Sequence, residues 1–144
     1  MTTTPTLNGQ VIGQAHYATR ALLERALSRT DTTFNQSVVL NAVAGGVGSI
    51  DALVSRMTGA LKIDEAAARA TVAELTEKQL VEALPGDAVQ VDLTEAGRTL
   101  QQQIQTALRE ITERLYGGIP AADLESAGRA LTLITERANT ELAN

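Results

Sequence analysis

Few side chains in this sequence suit covalent or metal chemistry. His16 is the only histidine and cysteine is absent. That excludes disulfides, thiolate zinc sites, a cysteine nucleophile and a multi-histidine metal centre. A Ser–His–acid arrangement needs a carboxylate to orient the imidazole, and none lies near His16 in sequence. Glu110 and Glu113 are spaced as a solvated helix face rather than as a glycosidase pair. Tyr17, Phe34 and Tyr116 are the only aromatics, too few for a platform that stacks single-stranded bases. An enzyme is not expected, nor a cofactor or metal. What remains is recognition. His16, Tyr17 and Arg20 lie close together on the first helical segment: Arg20 or His16 suits an anion or hydroxyl, and Tyr17 supplies a face. Histidine also changes charge near neutral pH. The plain alternative is a hydrogen-bonded histidine in a subunit interface. Asn41 is polar within a nearly apolar segment, and Met57 is either core or pocket lining. The few aromatics make any pocket aliphatic and suited to a lipophilic ligand.

These residues sit in a chain of 144 residues, 44% hydrophobic and 20% charged, long enough to bury one core unaided. The net charge of −5 is unevenly spread. Residues 1–62 hold five Lys/Arg against three Asp/Glu, and residues 63–144 hold seven against fourteen. A footprint for nucleic acid must therefore be local, because the molecule as a whole repels phosphate. No apolar run is long enough to span a membrane. The first residues have neither a basic nor an apolar segment of a secretory signal, so the expected location is the cytoplasm.

The patterning is mainly helical. From Asn8 to Arg29, Ile12, Ala15, Leu22, Leu23, Ala26 and Leu27 recur at steps that predict an amphipathic helix. Thr33 and Gln36 form a capping box for a second helix carrying Val38, Val39, Leu40, Ala42 and Val43, which Gly45, Gly46 and Gly48 stop. Ser49 caps a short third helix with Leu53, Val54, Met57 and Leu61 inward. Asp64 caps a fourth, to about Lys78, with Ala68, Val72 and Leu75 inward. Residues 80–93 change period: Val89, Val91 and Leu93 alternate with polar positions after the Pro85-Gly86-Asp87 turn, which predicts a β-hairpin. Two short helices joined by a tight turn and followed by a hairpin make a winged helix-turn-helix. Thr94 opens a long helix to about Tyr116, and Pro120 starts a last one. The apolar seams of these terminal helices predict pairing with a second copy, a twofold homodimer. The chain thus divides into a dimerisation helix over 1–32, a winged helix-turn-helix over 33–94 and dimerisation helices over 95–144, within one protomer.

Four segments carry a family resemblance. The run Thr33 to Leu40 resembles the T-x-x-Q-x-x-x-L opening of the second helix in the MarR (multiple antibiotic resistance regulator) family. Leu75 to Val81 is similar to its L-x-x-K-G-L-V step into the wing, with Gln79 at the glycine. Leu93 to Arg98 matches its L-T-x-x-G-R entry to the fifth helix, and Arg137 to Leu142 resembles a common C-terminal ending. The resemblance implies a homodimeric winged-helix regulator. Helices one, five and six would form the interface, the fourth helix would enter the major groove, and the wing would reach the minor groove. A small, often aromatic or anionic, effector would bind in a cleft and lower DNA affinity.

On that reading Arg69 contacts a base edge, Ala66 and Ala67 meet thymine methyls, and Thr71 faces the backbone. Ser49, Arg56 and Lys62 contact phosphates, and Ala70 and Gln90 complete the DNA-binding group. His16, Tyr17, Arg20, Asn41 and Met57 form the effector site. The expected function is a repressor on a pseudo-palindromic double-stranded operator, released by a small lipophilic or anionic effector. Two features depart from the family pattern. Residues 83–92 of the wing hold Asp87 and Asp92 but no Lys or Arg, where the family's wing inserts an arginine. Ala70 stands where the family's recognition helix often has an arginine. From Asp64 to Glu82, two basic residues face five acidic ones. The alternative is a ligand-binding or protein-interaction module with weak or lost DNA binding.

Overall fold

The computed structural model describes residues 4–144. The helices are α1 (Gly9–Ser28), α2 (Phe34–Ala44), α3 (Ile50–Leu61), α4 (Glu65–Glu77), α5 (Glu95–Tyr116) and α6 (Ala121–Leu142), with strands β1 (Val81–Leu84) and β2 (Asp87–Leu93) between α4 and α5. The chain forms two compact units, one running to Arg109 and one comprising Glu110–Asn144. No described helix is long and apolar enough to cross a membrane.

Local chemistry sets the helix starts. Asn8, Thr33, Ser49 and Asp64 each accept a backbone N–H of the first turn of α1, α2, α3 and α4, satisfying donors that the helix leaves unpaired. At α2 both halves of the capping box form. Thr94 serves α5, its hydroxyl accepting from Gly97 N at 3.0 Å and donating to Gln79 O at 2.7 Å.

In the first unit, Leu27 of α1, Val39, Leu40 and Val43 of α2, Leu53, Val54 and Met57 of α3, Ala68, Val72 and Leu75 of α4, and Val81, Val91 and Leu93 of the hairpin form one buried cluster with Ile104 of α5. The strands pair antiparallel, Val81 opposite Leu93, with an irregularity between Ala83 and Leu84. A single antiparallel bridge from Ser49 to Gln90 adds a short third edge, which is the winged helix-turn-helix layout. The turn places Gly86 at φ +79°, a conformation that glycine adopts at no steric cost. Gly97 is required for a different reason: a Cβ there would collide with the carbonyl oxygen of Leu80, so α5 can start close against the hairpin only without a side chain. In the second unit, α6 buries no residue. Leu131, Leu133, Ile134 and Leu142 are all exposed on it.

Candidate nucleic-acid interface and adjoining cavities

Helix α4 is held from behind by its own apolar stripe and by a polar clamp at its C-terminal end. Ala68, Thr71, Val72 and Leu75 are buried at the i, i+3, i+4, i+7 spacing of one face. Gln36 is only 3% exposed. Its Nε2 donates to Glu74 Oε1 at 3.2 Å, while its Oε1 accepts from Thr33 N at 3.2 Å and Lys78 Nζ at 3.1 Å. Lys78 Nζ also donates to Asp31 O at 2.7 Å. These bonds satisfy a buried amide, which would otherwise be costly, and tie the start of α2 to the end of α4.

The opposite face of α4 carries Ala66, Arg69, Ala70 and Ala73, all exposed. Ala67 is half-buried, and its N–H donates to the Asp64 cap at 2.7 Å. Ala73 was absent from the residues singled out in the sequence, although it continues the spacing that begins at Ala66. Thr71 requires correction: it is 4% exposed and its hydroxyl donates to Ala67 O at 2.9 Å, so it presents nothing to a groove. Its position in phase with Ala68, Val72 and Leu75 explains the burial.

Arg69 is exposed but engaged. Its Nε donates to Glu65 Oε1 at 2.9 Å and its Nη2 to Asp51 Oδ1 at 3.1 Å. Asp51 first, then Glu65, raise its pKa above the ordinary value by hydrogen bonding. The carboxylates occupy the fork that a guanine edge or phosphate would otherwise take. Ser49 and Gln90 are joined by the bridge at the base of the wing, and the Ser49 hydroxyl accepts from Ala52 N at 3.3 Å. Lys62 ends α3 in a left-handed conformation, φ 58°. At the wing tip Leu84 and Val89 are exposed. Asp92 accepts from Arg98 Nη2 at 2.9 Å and from Leu93 N at 2.8 Å. The Arg98 bond foremost, then the backbone bond, holds the Asp92 carboxyl below its usual range.

A cavity of about 210 Å³ opens between α1, α2 and α5, with Leu23, Phe34, Val38, Leu40, Ile104 and Leu108 as its apolar walls and Ser37, Asn41, Gln101 and Gln105 as its polar ones. A second, of about 380 Å³, shares Asn41, Gln101 and Gln105 and adds Arg56 of α3 beside the C-terminal turn of α2. Of the five residues expected at an effector site, only Asn41 lines these cavities. Arg20 reaches the first indirectly, its guanidinium lying 4.4 Å from the centroid of the Phe34 ring while its Nε donates to Glu24 at 3.0 Å. Met57 is 1% exposed within the core cluster and lines neither. His16 and Tyr17 lie edge to face, centroids 5.2 Å apart, with Tyr17 72% exposed; neither lines these two cavities. Arg56, read from the sequence as a phosphate contact, is exposed and lines the second cavity. Phe34, Val38, Gln101, Gln105 and Leu108 were missed because they converge from segments some 60 residues apart. Among the described residues no cluster of His, Asp or Glu is able to hold a metal ion.

This architecture, a winged helix-turn-helix followed by two 22-residue helices, is the fold of the MarR-family transcriptional regulators. The chain is similar to a MarR-family regulator from Rhodococcus sp. RHA1, with TM-score 0.73 and 21% identity over 88% of this chain and 92% of that one. A mutant MarR from E. coli complexed with operator DNA matches with TM-score 0.69 and 21% identity over 88% and 91%. Bordetella bronchiseptica BpsR, whose DNA binding is regulated by 6-hydroxynicotinic acid, matches with TM-score 0.69 and 24% identity over 88% and 97%. No family model matches the sequence and no curated protein does so.

Proposed function

We propose that the protein is a homodimeric, effector-responsive repressor that binds double-stranded operator DNA. The exposed face of α4, Ala66, Arg69, Ala70 and Ala73, enters the major groove, and Ser49, Lys62 and Gln90 lie along the flanking backbone. The terminal helices clasp a second copy, and twofold symmetry makes the operator pseudo-palindromic. A small molecule in the cavity between α1, α2 and α5 shifts the dimer toward a spacing that misses the half-sites. The observation that carries the reading is a solvent-facing α4 stripe on a scaffold matching a structure complexed with operator DNA. The test is a titration against DNA from upstream of the protein's own coding sequence. Binding at low salt with log affinity falling against log salt supports it.

One observation favours a second reading. Arg69 is held by two carboxylates and residues 83–92 of the wing carry no cation, so the phosphate contacts that drive DNA affinity are few. In this alternative the fold serves as a ligand-binding or protein-interaction module. Absence of any shift at low salt, with ligand binding retained, selects it.

A further inference from the structure

We infer that α4 reads its operator through methyl groups, so that each half-site presents a short run of thymines to Ala66, Ala70 and Ala73. This rests on the DNA-binding reading above and gives that site its sequence class. The buried stripe of α4 is Ala68, Thr71, Val72 and Leu75. Directly opposite it, at successive turns of the helix, stand Ala66, Ala70, Ala73 and Glu77, all exposed. The three alanines cover a rise of about 10 Å, which matches about three base pairs of duplex.

Hydrogen-bonded readout has little to work with on this face. Guanine and adenine offer acceptors in the major groove and call for arginine, lysine, asparagine or glutamine. Arg69, which flanks the alanines, has its Nε and Nη2 committed to Glu65 and Asp51 at 2.9 and 3.1 Å. The Thr76 hydroxyl donates to Val72 O at 3.0 Å, and the Lys78 ammonium donates to Asp31 O and Gln36 Oε1. Glu74 and Glu77 are acceptors when ionised, a chemistry suited only to the cytosine amine, and Glu74 Oε1 already accepts from Gln36 at 3.2 Å. The centre of the face offers three methyl groups. The thymine C5-methyl is the apolar feature of the major groove that an alanine contacts. Short side chains also let the helix backbone settle close to the base edges. The wing supplies no competing source of A·T preference, because residues 83–92 hold no Lys or Arg to enter a narrow minor groove.

The experiment titrates the full chain with the duplex from upstream of its own coding sequence, and with the same duplex copied with deoxyuridine in place of thymidine. The exchange removes only the C5-methyl. It keeps every hydrogen-bonding group of the base edges and changes nothing in the minor groove, where the wing would sit. Each contacted methyl lost is expected to weaken binding about three- to fourfold, and the fully substituted duplex should bind roughly tenfold or more weakly. In Ala70→Gly, and separately in Ala73→Gly, the ratio of the two affinities should shrink by about the factor for one methyl. The ratio is taken within one variant, so a general loss of helix stability cancels. Equal affinity for the two duplexes overturns the methyl readout and leaves DNA binding in place. A penalty that neither glycine variant reduces also overturns it, since the loss then lies in duplex shape. Absence of binding to either duplex at low salt fails the repressor reading itself and takes the readout with it.

Discussion

Arg69 shows how one side chain is claimed from two directions. It lies on the exposed face of α4, yet Asp51, eighteen residues earlier, and Glu65, one turn earlier, both accept its hydrogen bonds. If it also reads DNA, these carboxylates compete with the operator. Asp51→Asn should then raise operator affinity by roughly two- to fivefold, the scale of one exposed ion pair. Part of any gain comes from removing a negative charge near DNA, so the decisive measurement is the double-mutant cycle. The gain should vanish in an Arg69→Ala background; an equal gain in both backgrounds would show that Asp51 acts only through long-range charge. Two further residues act on stability. Gly97→Ala places a Cβ against the Leu80 carbonyl and should cost about 1–3 kcal/mol in thermal or urea denaturation, as overpacking does. Gln79 sits at φ 61°, at the glycine of the resembling motif. Gln79→Gly should stabilise by up to about 1 kcal/mol, because the left-handed conformation strains a side chain by roughly 1–2 kcal/mol while glycine gives some back in chain entropy. A lower melting temperature for that variant would contradict the account.

At the scale of elements, the wing is anchored to α5 by Asp92 and Arg98, 2.9 Å apart. The Asp92 carboxyl titrates below its usual range, so the folded state prefers it ionised. Its stabilising contribution is present above the unfolded carboxylate value of about 3.9 and is lost as pH falls through the lower folded value. Asp92→Asn should therefore lower stability at neutral pH, and the difference from the parent chain should shrink as acid is added below about pH 4. A deficit that persists unchanged into acid would place the effect elsewhere. The elements themselves were legible in sequence because their starts are local chemistry. Asn8, Thr33, Ser49, Asp64 and Thr94 all cap through neighbours three residues on, within reach of a linear reading. The phase of α4 was legible too, and the register of Thr71 with Ala68 and Leu75, not its polarity, decides its burial. The site was less legible because its partners are distant in sequence. Nothing near Arg69 announces Asp51, nothing near Asn41 announces Gln101 or Arg56, and the amide of Gln36 meets Glu74 only after the chain has turned twice.

At the scale of the whole molecule, the question is what covers α6. Leu131, Ile134 and Leu142 are exposed along one face of it, and an apolar stripe of this kind marks an interaction surface. Under the proposed homodimer, the double substitution Leu131→Asp, Ile134→Asp should give a monomer in sedimentation analysis. Its operator affinity should fall sharply, since each half-site is then bound alone. A parent chain that sediments as a monomer at micromolar concentration would remove the dimer and, with it, the twofold operator. The carboxylates around Arg69 have a further consequence for such a regulator. Dissolved ions weaken its grip on phosphate, but they equally loosen the exposed pairs that hold the arginine back. The two effects run in opposite directions, so promoter occupancy would drift less during osmotic shock than the number of cationic contacts predicts. The internal restraint then works as a buffer, giving up peak affinity for evenness as conditions change.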